Sequence, residues 1–173
     1  MNNYRFVMKK ILLITLALGA LVACTKWITS DSEDDTLSKE FKHTGCAAET
    51  RGLYGDDPSL LTLKYENGDL RVTRTNAELD CGFKERGLTC KAYIEGNVIH
   101  YDVVFEKEGF GVANCICPVE KMTSVVTGLE KGKEYTFHYR VLYWGYKPIT
   151  FTFNKSLHEV YDVDTLYDIV IDE

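Results

Sequence analysis

The chain has 173 residues and a formal charge of −6, from 20 basic and 26 acidic side chains; 45% of its residues are hydrophobic and 27% charged. That balance excludes an intrinsically disordered chain, a multi-span membrane protein and a basic nucleic-acid binder. Taken in chain order, residues 1–10 carry Arg5, Lys9 and Lys10 and no acid, and the run ILLITLALGALV at 11–22 is apolar apart from Thr15. At about 1.5 Å per residue this run falls well short of the roughly 30 Å hydrocarbon core, so it predicts a cleaved secretory signal and not a membrane span. The segment from Met8 is complete as a signal by itself, so Met8 serves as a start as well as Met1.

The junction Leu21-Val22-Ala23-Cys24 resembles the lipobox of bacterial lipoproteins. The resemblance implies a signal peptide at 1–23, diacylation of the Cys24 thiol with palmitate-type chains, and an outer-membrane lipoprotein facing the periplasm or the cell surface. Each buried methylene contributes roughly 0.8 kcal/mol; one acyl chain binds marginally, whereas two or three hold a protein durably. Cleavage removes three cations and no acid, so the mature chain is more acidic still.

Residues 24–45 follow as a lipidated acidic linker, with Asp31, Glu33, Asp34, Asp35 and Glu40 and few apolar side chains. The run from Ser30 to Asp35 is similar to the acidic export signal of Bacteroidetes surface lipoproteins, and it reads equally as a solvated spacer. Trp27 is placed at the lipid interface or in solvent. The domain is expected over residues 46–173. Acids and bases nearly balance over 46–155, and residues 156–173 carry acids and no Lys or Arg.

Within the domain, apolar residues recur at period two. Leu61, Leu63 and Tyr65 precede Asn67-Gly68, and Leu70 and Val72 follow it. Asn-Gly between alternating runs is a strong hairpin signal, because a type I′ turn needs φ > 0 at both central residues. Leu88, Cys90, Ala92 and Ile94, the turn Gly96-Asn97, and Ile99, Tyr101, Val103 and Phe105 repeat the arrangement. Tyr135, Phe137, Tyr139, Val141 and Tyr143 alternate with Thr136, His138, Arg140 and Leu142, and Ile149, Phe151 and Phe153 close the series. One apolar face per strand predicts an all-β, antiparallel β-sandwich. The stretch GLEKGKEYTFHYRV at 128–141 resembles the corner that joins the sheets of fibronectin type III and immunoglobulin-like domains. That resemblance implies an immunoglobulin-like sandwich in which the Tyr135 hydroxyl bonds to upstream backbone and Leu129 is buried. The C-terminal segment fits either a helix or a strand, and an added strand is the expectation taken.

With Cys24 acylated, five cysteines remain in an oxidising compartment, where disulfides are expected. Cys115 and Cys117 share one face of a strand and are too far apart to join each other. Cys90 lies between Leu88 and Ala92 on an apolar face, where a free thiol packs as a small hydrophobe. By elimination Cys46 and Cys81 pair with Cys115 and Cys117, in an order left open; a Cys81–Cys90 bridge is the competing arrangement. The segments HTGC (43–46), NAELDC (76–81), CICP (115–118) and GLEKGKEYTF (128–137) resemble small Bacteroidetes lipoproteins of uncharacterised function, a likeness that implies no catalytic residue.

Candidate chemistry is sparse. A zinc site from Cys115, Cys117 and a histidine lacks a second closely spaced pair, and His43, His100, His138 and His158 are scattered in sequence. No Cys-x-x-Cys, G-x-S-x-G, H-E-x-x-H or phosphate-binding glycine loop occurs. The expectation is therefore a non-enzyme without cofactor or metal, making no contact with nucleic acid. Binding residues are expected in the turn YWGYKP at 143–148, where Tyr143, Trp144 and Tyr146 surround Gly145 and offer flat faces to a glycan or a protein partner, unless they fold back over the sheet edge. Arg71, Arg74, Lys84 and Arg86 form either a basic patch or a solvated strand face. The reading is a lipid-anchored recognition module; the alternatives are a small secreted enzyme or inhibitor, or a purely structural envelope lipoprotein.

Overall fold

A computed structural model describes residues 36–46, 57–109 and 115–167, all within one folded unit. The signal peptide, Cys24, Trp27 and the acidic run 30–35 lie outside the described residues. The elements are β1 (Ser38–His43), β2 (Leu60–Glu66), β3 (Asp69–Asp80), the single-turn helix α1 (Phe83–Arg86), β4 (Leu88–Glu95), β5 (Val98–Phe105), β6 (Ile116–Val126), β7 (Glu134–Val141), β8 (Trp144–Gly145), β9 (Ile149–Thr152) and β10 (His158–Asp162), followed by a 3₁₀ turn at Val163–Leu166. One sheet has the order β1-β6-β3-β2-β10; the other runs β4-β5-β7, with β8 and β9 both pairing with β7.

Turn chemistry sets the registers. Asn67 and Gly68 have φ of 56° and 103°, as a type I′ turn requires, so Glu66 faces Asp69 and Leu61 and Leu63 of β2 fall inward. In the β4–β5 hairpin only the first central residue, Gly96, has positive φ (62°), the glycine-first arrangement of a type II′ turn. The inner faces then meet. Leu61, Leu63, Leu70 and Val72 of one sheet and Ile99, Tyr101, Phe137 and Tyr139 of the other are buried in a single core. The predicted corner is formed, with the Glu130 N–H donating to the Tyr135 hydroxyl at 2.9 Å and Leu129 packed against the core.

The chain is thus the all-β sandwich that period-two alternation predicts, with one local departure: β5 and β7 run parallel, not antiparallel. The reason is the path. After β5 the chain crosses to the opposite sheet, forms β6 and crosses back, so β7 returns in the direction of β5.

The linker expectation for 24–45 is corrected at its C-terminal end. Ser38–His43 is a strand, antiparallel to β6, inside the stretch read as spacer. As a sheet-edge strand it needs few apolar side chains; backbone pairing to β6 holds it, with Phe41 and the preceding Leu37 packed against the core. Just before it, the Leu37 N–H donates to the Ala92 carbonyl at 2.8 Å, and the Ala92 N–H donates to Thr36 Oγ1 at 2.8 Å. This segment therefore ties the edge of one sheet to β4, the edge of the other. A C-terminal strand, β10, pairs with β2 at His158–Asp162, whereas the strand expected from Tyr167, Ile169 and Ile171 runs into residues 168–173, outside the described residues.

Two disulfides, Cys46–Cys117 and Cys81–Cys115, settle the open order, with Cα separations of 5.5 and 5.7 Å. Cys81 is thereby unavailable to Cys90, which stays a buried free thiol. Loops of 71 and 34 residues correspond to about 4 kcal/mol each in the chain-entropy account.

Candidate functional site

Strand β3 begins with a regular alternation, in which Leu70, Val72 and Arg74 all face inward. Arg74 is thus a cation on the core face, only 7% exposed. Asn76 then takes φ of 52°, a conformation Asn tolerates better than most residues, and the inward positions shift to Ala77 and Leu79. Partner strand β6 bends with it, from Ser124 and Met122 to Val119 and Cys117, while the pairing register is unbroken. This switch on both strands falls beside Arg74, and Asn76 itself lines a cleft there.

The guanidinium is held by neutral groups. Nε donates to Ser59 Oγ at 3.1 Å and Nη1 donates to the Tyr146 hydroxyl at 2.9 Å. The Tyr146 and Tyr139 rings lie 5.1 and 5.8 Å from it, in cation–π range. Ser59 is itself oriented by donating to the Thr75 carbonyl at 3.2 Å, and Asn76 Nδ2 pins the preceding loop through the Pro58 carbonyl. Burial works against the guanidinium's charge, but the Tyr139 and Tyr146 phenols more than offset it, and its pKa lies above the ordinary value. Burial also pushes the Tyr139 phenol up to about 12, against the opposing pull of Arg74.

Arg74 lies on a cleft of about 480 Å³ whose wall combines Asp57 and Ser59, Asn76 and Glu78 of β3, Tyr146 and Tyr167, and Asp162 and Asp164 at the end of β10. That volume is within the roughly 300–1,000 Å³ of small-molecule sites. The 3₁₀ turn builds one side, with the Asp164 N–H donating to the Asp162 carboxylate at 3.0 Å and the Lys147 N–H donating to the Leu166 carbonyl at 2.8 Å.

The aromatic turn divides. Tyr143 and Trp144 are 62% and 55% exposed, as binding residues would be, whereas Tyr146 folds back, stacks on Tyr139 with centroids 5.1 Å apart, and lines the cleft. Tyr146 thus takes the alternative of folding back over the sheet, while Tyr143 and Trp144 stay exposed. The cause is the register of β7: hairpin pairing puts Trp144 opposite Val141 and aims the Tyr146 N–H at the Tyr139 carbonyl. Trp144 stands edge-on to Tyr167, centroids 5.8 Å apart, and Tyr167 lines the cleft, so the exposed aromatics and the cleft adjoin. At the tip of this hairpin Leu142 has φ of 54°, a conformation that costs a non-glycine residue on the order of 1–2 kcal/mol and that clusters at functional sites.

The basic-patch reading is not what forms. Arg71 and Arg74 are three residues apart on one strand and so point to opposite faces. Arg71 pairs with Glu66, whose carboxyl its hydrogen bond holds below the ordinary range, and Arg86 lies over the Phe105 ring at 3.5 Å. Nor are all the histidines scattered in space. His100 and His138 are register partners on β5 and β7 with ring centroids 5.2 Å apart, and Tyr93 stacks on His100 at 4.5 Å. Cys115 and Cys117, weighed as metal ligands, are both spent in disulfides.

Sequence reasoning missed Arg74 as a site residue. The signal was present in its parity with Leu70 and Val72, which puts a permanent charge on the core face. A second polar group is buried deeper, where the Tyr101 hydroxyl of β5 and Ser124 Oγ of β6 meet at 2.7 Å across the sandwich, beside Cys90. Burial raises both the Tyr101 phenol and the Cys90 thiol. Compared with known proteins, the chain matches no family model, no curated protein and no solved structure.

Proposed function

We propose that the chain is an extracytoplasmic recognition module, held to the outer membrane by acyl chains on Cys24, that captures a glycan in the Arg74 cleft and on its aromatic rim. It acts by binding and not by catalysis. The observation that carries this reading is the continuity of the site: a polar cleft with a buried cation at its wall runs into two large exposed aromatics, Tyr167 and Trp144. Flat aromatic faces pack against sugar rings, and carboxylates, Asn and Ser accept or donate to sugar hydroxyls. The strained Leu142 that presents Tyr143 and Trp144 supports the same assignment.

The test is a glycan array probed with wild type and with Trp144→Ala. An exposed side chain contributes little to stability, so the variant is expected to keep its melting temperature while losing array signal. A falling melting temperature with intact capture would make Trp144 a packing residue and defeat the proposal. Cys24→Ser is the companion for the anchor and is expected to move the protein from the membrane to the soluble fraction.

A further inference from the structure

We infer that the sugar carries a carboxylate, of the uronate or sialate class, and that this carboxylate docks on Arg74. The inference rests on the recognition reading above and specifies its ligand. A buried cation is ordinarily neutralised by an acid, since isolated charge is expensive to desolvate. Arg74 is not: among the described residues no carboxylate forms an ion pair with it, and two hydroxyls and two ring faces hold it instead. Neutral partners fix the position of the guanidinium without cancelling its charge. They leave that charge for whatever enters the cleft, where a charge-assisted bond to a ligand carboxylate is stronger than one to a neutral oxygen.

The rest of the wall decides what bears the carboxylate. Among the described residues Asp57, Glu78, Asp162 and Asp164 share the wall with this single cation, so a phosphate dianion would be repelled about twice as strongly as a monoanionic carboxylate. A carboxylated sugar reaches Arg74 with a single negative charge and turns hydroxyl donors towards the surrounding acids, which only accept. A peptide C-terminus also offers a carboxylate but brings few donors for those acids, and its capture usually relies on a nest of backbone N–H groups.

The experiment is calorimetric titration of the purified protein with methyl galacturonoside and sialyllactose, with the carboxyl-reduced form of each, and with inorganic phosphate. At least one acidic sugar is expected to bind tenfold or more tightly than its reduced form. Arg74→Met is expected to remain folded by circular dichroism and to abolish that ratio. The ligand comparison needs no variant, so it stands even where Arg74→Met fails to fold. Equal binding of an acidic sugar and its reduced form would overturn the inference and leave the recognition reading intact. Binding of phosphate, or of a peptide carboxylate in a parallel titration, without sugar binding would overturn the inference. Silence from every sugar, acidic and reduced, together with an empty array, would remove both.

Discussion

Two of the polar groups buried in the sandwich are built on opposite plans. At Tyr101–Ser124 two hydroxyls from facing sheets satisfy each other in the middle of the core, next to the Cys90 thiol. At Arg74 a full charge is buried beside a cleft, with neutral partners on the protein side. The first group is closed. Its members complete one another, so it specifies how β5 stacks on β6 and asks nothing of solvent. The second is open, because its charge is placed but not neutralised. Apolar residues of similar volume would often stabilise a fold as well as a buried charge does. Arg74 is thus a charge that the fold alone does not require.

The largest expected effect common to both groups is on alkaline stability. A phenol whose folded pKa lies above its ordinary value near 10 supports the fold below pH 10 and loses that support as pH rises through the folded value. Tyr139, at about 12, should cost roughly 2–3 kcal/mol between pH 10 and 12, and Tyr101 shifts in the same direction. Urea denaturation at pH 9, 10 and 11 reads this as a falling midpoint. In Arg74→Met the fall should be nearly the same up to pH 11 and should continue to higher pH, since Tyr139 loses the cation that restrains its pKa. An unchanged midpoint at pH 11 would contradict the burial of these phenols.

Next in size, Tyr101→Phe should destabilise by about 1–3 kcal/mol, because it strands the buried Ser124 hydroxyl. The double variant with Ser124→Ala should recover most of that loss in the same denaturation assay. Failure to recover would mean the pair is not closed. Arg74→Met is expected to shift stability by about 1 kcal/mol or less in either direction, the signature of a charge not kept for the fold. A loss of several kcal/mol would place Arg74 with the closed group. Trp144→Ala sits at the bottom of the scale, within about 0.5 kcal/mol, with its effect confined to binding.

Much of this architecture was legible from period-two alternation and turn residues. Asn67-Gly68 and Gly96-Asn97 placed two hairpins to the residue, and the Tyr135 corner formed as its motif implied. Two features were not legible. The strand at Ser38–His43 is polar, and its pairing comes from the backbone, which carries no side-chain signature. The parallel β5–β7 pair depends on which sheet each strand joins, and alternation says nothing of that. The cleft was half visible. Trp144 and Tyr143 stand out in sequence by their type and turn, whereas Arg74 reads as part of a basic patch or of a solvated strand face, although its parity with Leu70 and Val72 puts it on the core face. The contribution of Asn76, which turns left-handed and lines the cleft, lies in backbone conformation and has no hydrophobic pattern.

The claim that Arg74 and Trp144 belong to one site is tested most directly by NMR. The Arg74 Nε–H, protected by Ser59, and the Trp144 indole N–H can be followed together as methyl galacturonoside and sialyllactose are titrated in. The account predicts that both resonances shift and saturate at the same ligand concentration for at least one of these sugars. Two stationary resonances for both sugars, or a Trp144 shift with Arg74 unmoved, would contradict it.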